Sequence, residues 1–197
     1  YTLWHTLSLH DALPIYSVRR FAAKSVRTEE LKEMVRRGLL APSVEVIREH
    51  RFVAITNTEL LTRMANEVSS ALDGIAESHG LYVEMEPDNN NWYATFFADA
   101  PAVIAVAFKP LPDSEAEKEY ERESYSRAHP EYQSVGACIQ TMLLSAVDLG
   151  LSACWLTAPL VARSRIEALL GLHSPWKLAA LVAVGYAEEE VERSQLP

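Results

Sequence analysis

From Thr28 to Leu40 the chain reads TEELKEMVRRGLL, with Leu31, Val35 and Leu39 recurring at helical spacing among charged positions. That period predicts an amphipathic helix with Thr28 as its N-cap and Pro42 as its stop. Arg51 to Thr56, RFVAIT, predicts a short strand. A long helix is expected from Thr58 to Ser78, capped by Thr58 and stopped by Gly80. Pro87 to Asn91 is polar and predicts a loop into the aromatic cluster Trp92, Tyr93, Phe96 and Phe97. Ala102 to Phe108, AVIAVAF, lies between Pro101 and Pro110 and reads as a buried strand. Ser114 to Arg127 is rich in charge and suits an exposed helix or a lid.

The next segment, Pro130 to Leu149, is helical in period but apolar over more than one stripe. Val135, Cys138, Ile139, Met142, Leu143, Ala146 and Val147 spread around the helix. Such a helix has to be buried on most sides, in a large core or across a subunit interface. Gly150 ends it, and Leu151 to Leu156 predicts a strand. Arg163 to Leu170 predicts a short helix, and Leu178 to Tyr186 a last central strand. Together these elements predict an α+β architecture: a central mixed β-sheet of roughly four to five strands surrounded by helices.

Residues 1–15 do not fit this pattern. Thr6 to Ile15, TLSLHDALPI, is the translation of ACTCTTTCCCTACACGACGCTCTTCCGATC, which resembles a widely used sequencing-library adapter. The natural sequence is therefore expected to begin at Tyr16, with residues 16–197 forming one domain cut at both ends.

Composition narrows the function. The chain has 197 residues, 49% hydrophobic and 23% charged, with a net charge of −9 and an isoelectric point near 5.2. That acidity argues against nucleic acid or an anionic membrane as main partner. No apolar run reaches the roughly 18 to 20 residues of a membrane span. Cys138 and Cys154 sit in apolar stretches without metal-ligand spacing, which suits packing in a reducing, cytoplasmic compartment. The six histidines are scattered, so no metal is expected. There is no GxGxxG, Walker loop, GxSxG, HExxH or CxxC. A chain without its own nucleophile or metal often borrows chemistry from an organic cofactor.

Several segments then carry a resemblance. Ser17-Val18-Arg19-Arg20-Phe21, the following helix and Ala41-Pro42-Ser43 resemble the opening of the nitroreductase family, R-x-S-x-R-x-F followed by A-P-S-x-x-N-x-Q-P-W-x-F, with unbroken spacing to Phe52. The strand from Gly150 to Trp155, the turn Leu169-Leu170-Gly171 and the strand closing at Val184-Gly185-Tyr186 resemble its second half. Asn91-Trp92 to Ala100-Pro101 is similar to the iodotyrosine-deiodinase-like branch. No Lys or Arg occurs between Arg63 and Lys109, however, so that branch's lid cation is missing.

The resemblance implies a nitroreductase-like fold, a homodimer with the long helix at its interface, and bound FMN. It also implies ping-pong transfer from NADH or NADPH to a nitroaromatic, quinone or similar acceptor. A specialised flavoenzyme of the dehalogenating or flavin-cleaving type, and a flavin-free scaffold, are the alternatives. Ser17 and Arg19 are then expected at the flavin phosphate, ribityl chain or pyrimidine edge, and Ser43 beside the flavin. Trp155, Leu156 and Thr157 are expected along the isoalloxazine, and Arg193 in a C-terminal phosphate clamp. No side chain is expected to act as a catalytic base. The chain departs from the family at Val46, Arg48, Glu49 and His50, which replace Asn, Gln, Pro and Trp, and at Ile15, which stands in place of Arg. Two flavin-binding amides are thereby lost. Arg48 could compensate by offering a cation to the pyrimidine edge.

Overall fold

A computed structural model describes the backbone of residues 17–43, 50–79, 87–110 and 129–188. Four strands, β1 (His50–Ile55), β2 (Ala102–Phe108), β3 (Ser152–Leu156) and β4 (Lys177–Gly185), form a sheet of order β1-β2-β4-β3. Every neighbouring pair of these strands is antiparallel. The sheet is thus antiparallel rather than the expected mixed one, and among the described residues the parallel pairing is an isolated bridge, Ser17 to Ala153, outside the four strands. The two continuous apolar runs, β2 and β4, occupy the centre because both of their faces are covered. Along β2, Ala102, Ile104, Val106 and Phe108 enter one core, and Val103, Ala105 and Ala107 enter the other.

Helices α1 (Thr28–Gly38) and α4 (Pro130–Asp148) close the first core. The second is closed by α2 (Thr58–His79), α3 (Pro87–Thr95), α5 (Arg163–Leu170) and two 3-10 turns, Phe96–Asp99 and Ala158–Ala162. The architecture is α+β, as the apolar periods predict.

Three local expectations need correction. Arg27, not Thr28, stands at the N-cap of α1, because its backbone N–H donates to the Glu30 carboxylate at 2.9 Å. Asn57, not Thr58, caps α2: its side-chain oxygen accepts the Leu60 N–H at 2.9 Å. Pro87 to Asn91 is not a loop but the first turns of α3. Proline at the first helical position is pre-organised for a helix, and Asn91 on α3 accepts a hydrogen bond from Ser69 of α2. Gly80 and the segment from Ser114 to Arg127 lie outside the described residues.

Helix α4 sets the layout of the first core. Val135, Cys138, Ile139, Met142, Leu143 and Ala146 are buried against the sheet and α1. Burying each large apolar side chain contributes about 1.5–3 kcal/mol. The α1 contact is close: a Cβ on Gly38 would lie 2.5 Å from Met142 Cγ and 3.2 Å from the Cys138 carbonyl. Arg37 and Asp148 pair across the same contact. The remaining face of α4 points outward and carries Gln133, Gln140 and Leu144 exposed. Its apolar Leu144 is 41% exposed, and Leu40 at the end of α1 is 64% exposed.

Candidate functional site

At the β3 edge, the segment from Ser17 to Lys24 crosses from Ala153 to the end of β4. Val18 N–H donates to the Ala153 carbonyl at 3.2 Å, and Ala22 N–H to the Tyr186 carbonyl at 2.8 Å. Lys24 Nζ sits 3.6 Å from the Tyr186 ring centroid. Gly185 is needed beneath this crossing, since a Cβ there would meet Phe21 and Pro101 at 2.8 Å each. Fastened in this way, Ser17 and Arg19 both influence the Cys154 thiol. Burial pushes the Cys154 thiol up, while the Arg19 charge and a hydrogen bond from Ser17 pull it back. Arg19 also donates to the Ser17 carbonyl at 3.3 Å, and its Cζ lies 5.6 Å from the Tyr93 ring centroid.

Trp155 alternates with Cys154 and so faces the α4 side of the sheet. A Cβ on Gly136 would touch its ring at 3.6 Å, an ordinary van der Waals distance. The indole is nonetheless 40% exposed. Leu156 turns into the second core and is buried, so only its backbone can face a ligand on the Trp155 side. Thr157 is exposed, and its carbonyl accepts the Leu160 N–H at 2.9 Å where the 3-10 turn begins.

Ser43 lies elsewhere. It lines a small cleft with Gly38, Leu39, Ala41, Pro42, His50, Ser134 and Cys138, with about 10 Å³ of free space, room for roughly one water. Burial pushes the His50 imidazole below its ordinary range. Burial also raises the Cys138 thiol to about 11. Both groups are therefore neutral near pH 7. At 100° per residue, Ser134 and Cys138 project from the side of α4 opposite Gly136. The Ser43 cleft and Trp155 thus flank α4, with its outward face between them.

One chain accordingly brings Ser17 and Arg19 together along the β3 edge, sets Trp155 on the opposite face of that strand from Cys154, and holds Ser43 apart in the α1–α4 cleft. Arg193, and Val46, Arg48 and Glu49 of the altered segment, lie outside the described residues. Sequence reasoning missed Tyr93 as a partner of Arg19, and His50, Ser134 and Cys138 as neighbours of Ser43. Ser134 carried a usable signal, being a polar residue among the apolar positions of α4. The Arg19–Tyr93 contact carried none, because it joins residues far apart in the chain. A hydroxyl and a guanidinium two residues apart on one segment form a donor set suited to an anion, and the exposed Trp155 indole on the neighbouring strand offers a flat apolar face.

The nitroreductase family model matches residues 16–186. The chain belongs to the nitroreductase family. A BluB-like flavoprotein from Clostridium difficile 630 superposes with a TM-score of 0.80 at 26% identity, covering 97% of this chain and 95% of that one. An FMN-dependent nitroreductase from Clostridium difficile R20291 has a TM-score of 0.65 at 17% identity, over 93% and 90% of the two chains. An NADPH:FMN oxidoreductase from Vibrio harveyi, complexed with NAD+, gives 0.67 at 16% identity, over 95% and 71%. Among the described residues no helix is long and apolar enough to cross a membrane.

Proposed function

We propose that this chain is an FMN-dependent oxidoreductase of the nitroreductase type, with residues 16–197 forming one domain and the homodimer as the working unit. The observation that carries the reading is the segment of Ser17 and Arg19 fastened along β3, the strand that bears the exposed Trp155 indole. These groups fit FMN. Ser17 and Arg19 donate to its dianionic phosphate, or to the ribityl chain or pyrimidine edge. Trp155, with the Leu156 backbone and Thr157, lines the ring. Arg193 supplies a second phosphate cation by the family pattern.

Ser43 is the reason for the dimer. Its cleft and Trp155 lie on opposite flanks of the outward face of α4. A second copy seated on that face brings its Ser43 cleft to the first copy's Trp155 and covers Leu144. The neutral His50 and Cys138 keep that half free of charge beside an apolar ring. FMN, when bound, supplies the redox chemistry: hydride uptake from NADH or NADPH, then reduction of a nitroaromatic, quinone or activated alkene in ping-pong order. The protein orients both reactants and excludes water, and no side chain is assigned as a base. Two buried free thiols suit a cytoplasmic location.

The test is the visible spectrum of the purified full chain, with and without FMN. A bound flavin band, bleached without oxygen by NADH or NADPH and restored by a quinone, supports the reading. A folded dimer indifferent to saturating FMN sinks it. The likeness to the BluB-like flavoprotein and the Ala41-Pro42-Ser43-Val44 segment favour a second reading, a specialised flavoenzyme of the flavin-cleaving type. Irreversible loss of reduced FMN in air, without turnover of added acceptors, would select it.

A further inference from the structure

We propose that the crossing from Ser17 to Lys24 and helix α3 open and close as one cooperative unit, strapped together by Arg19 on Tyr93 and Arg20 on Trp92. This coupling stands whether or not FMN binds. Helix α3 is only 9 residues long, PDNNNWYAT. Asn89, Asn90, Asn91 and Thr95 are weak helix formers, and an isolated helix of this length is marginal in water. Its order therefore has to come from tertiary contact. Its hold on the second core is slight: of Asn91 to Thr95, only Ala94 is buried. Its hydrogen bond to α2, from the Ser69 hydroxyl to the Asn91 side-chain oxygen at 2.8 Å, joins exposed groups.

The crossing supplies the other hold. Two consecutive residues on an extended segment point apart, and two on a helix diverge by about 100°. Matched contacts between two such pairs fix the helix in both position and rotation. Arg20 Cζ lies 5.7 Å from the Trp92 centroid, and Arg19 Cζ lies 5.6 Å from the Tyr93 centroid. The two rings brace each other edge to face at 5.0 Å, and Trp92 packs on the buried Phe96 at 5.6 Å. On its far side the crossing is pinned by backbone alone. Val18 and Ala22 donate to the Ala153 and Tyr186 carbonyls, and the Arg20 carbonyl accepts the Glu188 N–H at 3.2 Å. The arginines thus carry the order of the sheet edge to α3, and by reciprocity loosening either side loosens the other. Each contact is weak at an exposed site, so the unit can open while the sheet stays folded.

Hydrogen–deuterium exchange on the full chain tests the coupling in both directions. Arg20→Gln and Arg19→Gln are each expected to speed exchange of the α3 amides about two- to fivefold, the range of an exposed cation–π contact. Tyr93→Leu, at an exposed position, should speed exchange of the Val18 and Ala22 amides by a similar factor. In the double variant Arg19→Gln/Tyr93→Leu the effect should fall short of the product of the two single ones, because one contact is lost only once. Tyr93→Phe keeps the ring and should exchange as the unaltered chain does. The β2 and β4 amides should keep their rates throughout, which distinguishes local opening from unfolding. Faster exchange confined to the altered side, or single effects that multiply in the double variant, overturns the coupling. Faster exchange in β2 and β4 to the same degree overturns it too, since the contacts would then serve the whole fold.

Discussion

The two flanks of α4 are built on opposite electrostatic terms. On the β3 flank, Arg19 is exposed, stacked on an exposed tyrosine, and close enough to Cys154 to offset part of what burial does to its thiol. On the α1 flank, Ser43 shares its cleft with a half-buried imidazole and a thiol raised to about 11, both uncharged near pH 7. The first flank thus offers a cation and the second an uncharged cleft. On the dimer proposed above, each copy would give one flank to a shared site.

Mixed dimers break or uphold that division with the largest effect. Arg19→Ala removes a charge-assisted bond and is expected to weaken FMN by about 1.5–3 kcal/mol, an effect that shrinks as salt is added. Ser43→Ala removes a neutral hydrogen bond of about 0.5–1.5 kcal/mol, with little salt dependence. Co-expressed with separate tags, the two variants form heterodimers in which one site carries both changes and the other carries neither. FMN titration should then show half of the sites at the unaltered affinity. If each copy held a complete site, no site would be intact and none would titrate normally.

The two glycines beneath the flanks come next. Gly38→Ala drives a Cβ into Met142 and the Cys138 carbonyl, and Gly185→Ala drives one into two rigid rings. Each is expected to lower stability by about 1–3 kcal/mol, read as a shift in the urea midpoint. Gly185→Ala should also weaken FMN, because Phe21 sits two residues from Arg19, and Gly38→Ala should do so through Ser43. An unchanged midpoint for either variant would mean that its flank yields without strain.

Much of this frame was legible in the sequence. AVIAVAF marked β2, the apolar spread of 130–149 marked α4 as deeply packed, and Gly150 marked its end, where φ is +71°. Ser17 and Arg19 were legible as a pair because an extended segment sends alternate residues to one side. What was not legible depends on tertiary contact. The polar run Pro87 to Asn91 read as a loop, yet it is helical and packs against α2. The separation of Ser43 from Trp155 arises from the 200° between Ser134 and Gly136 on α4, which becomes meaningful only once Ala41 to Ser43 are seen to lie against that helix.

The thiols compare the flanks more gently. Neither should react with a disulfide reagent at pH 8 on the timescale of a free thiol, because both are buried and both are raised in pKa. Cys154 should still modify faster than Cys138, since Arg19 and Ser17 favour its thiolate, and Arg19→Ala should narrow the gap. A raised acid favours the native state while protonated, so its contribution is present below the ordinary thiol range. For Cys138 it is lost as pH rises from about 9 through about 11. Cys138→Ala should flatten that part of the stability profile. Equal rates for the two thiols would remove the electrostatic distinction between the flanks.

His50 gives the smallest effect and the opposite sign. Burial lowers its pKa, so the folded chain holds the neutral imidazole more readily than the unfolded chain does. Its contribution is present above the unfolded value of 6.5 and is lost as pH falls below it. The urea midpoint should therefore decline from about pH 6.5 downward, by less in His50→Phe, which cannot charge. FMN affinity should thus fall on acidification through His50 and the flavin phosphate (second pKa roughly 6), and His50→Phe should retain only the phosphate part. If the two acid limbs superimpose, the imidazole does not border the flavin, and the neutral flank is defined by Ser43 alone.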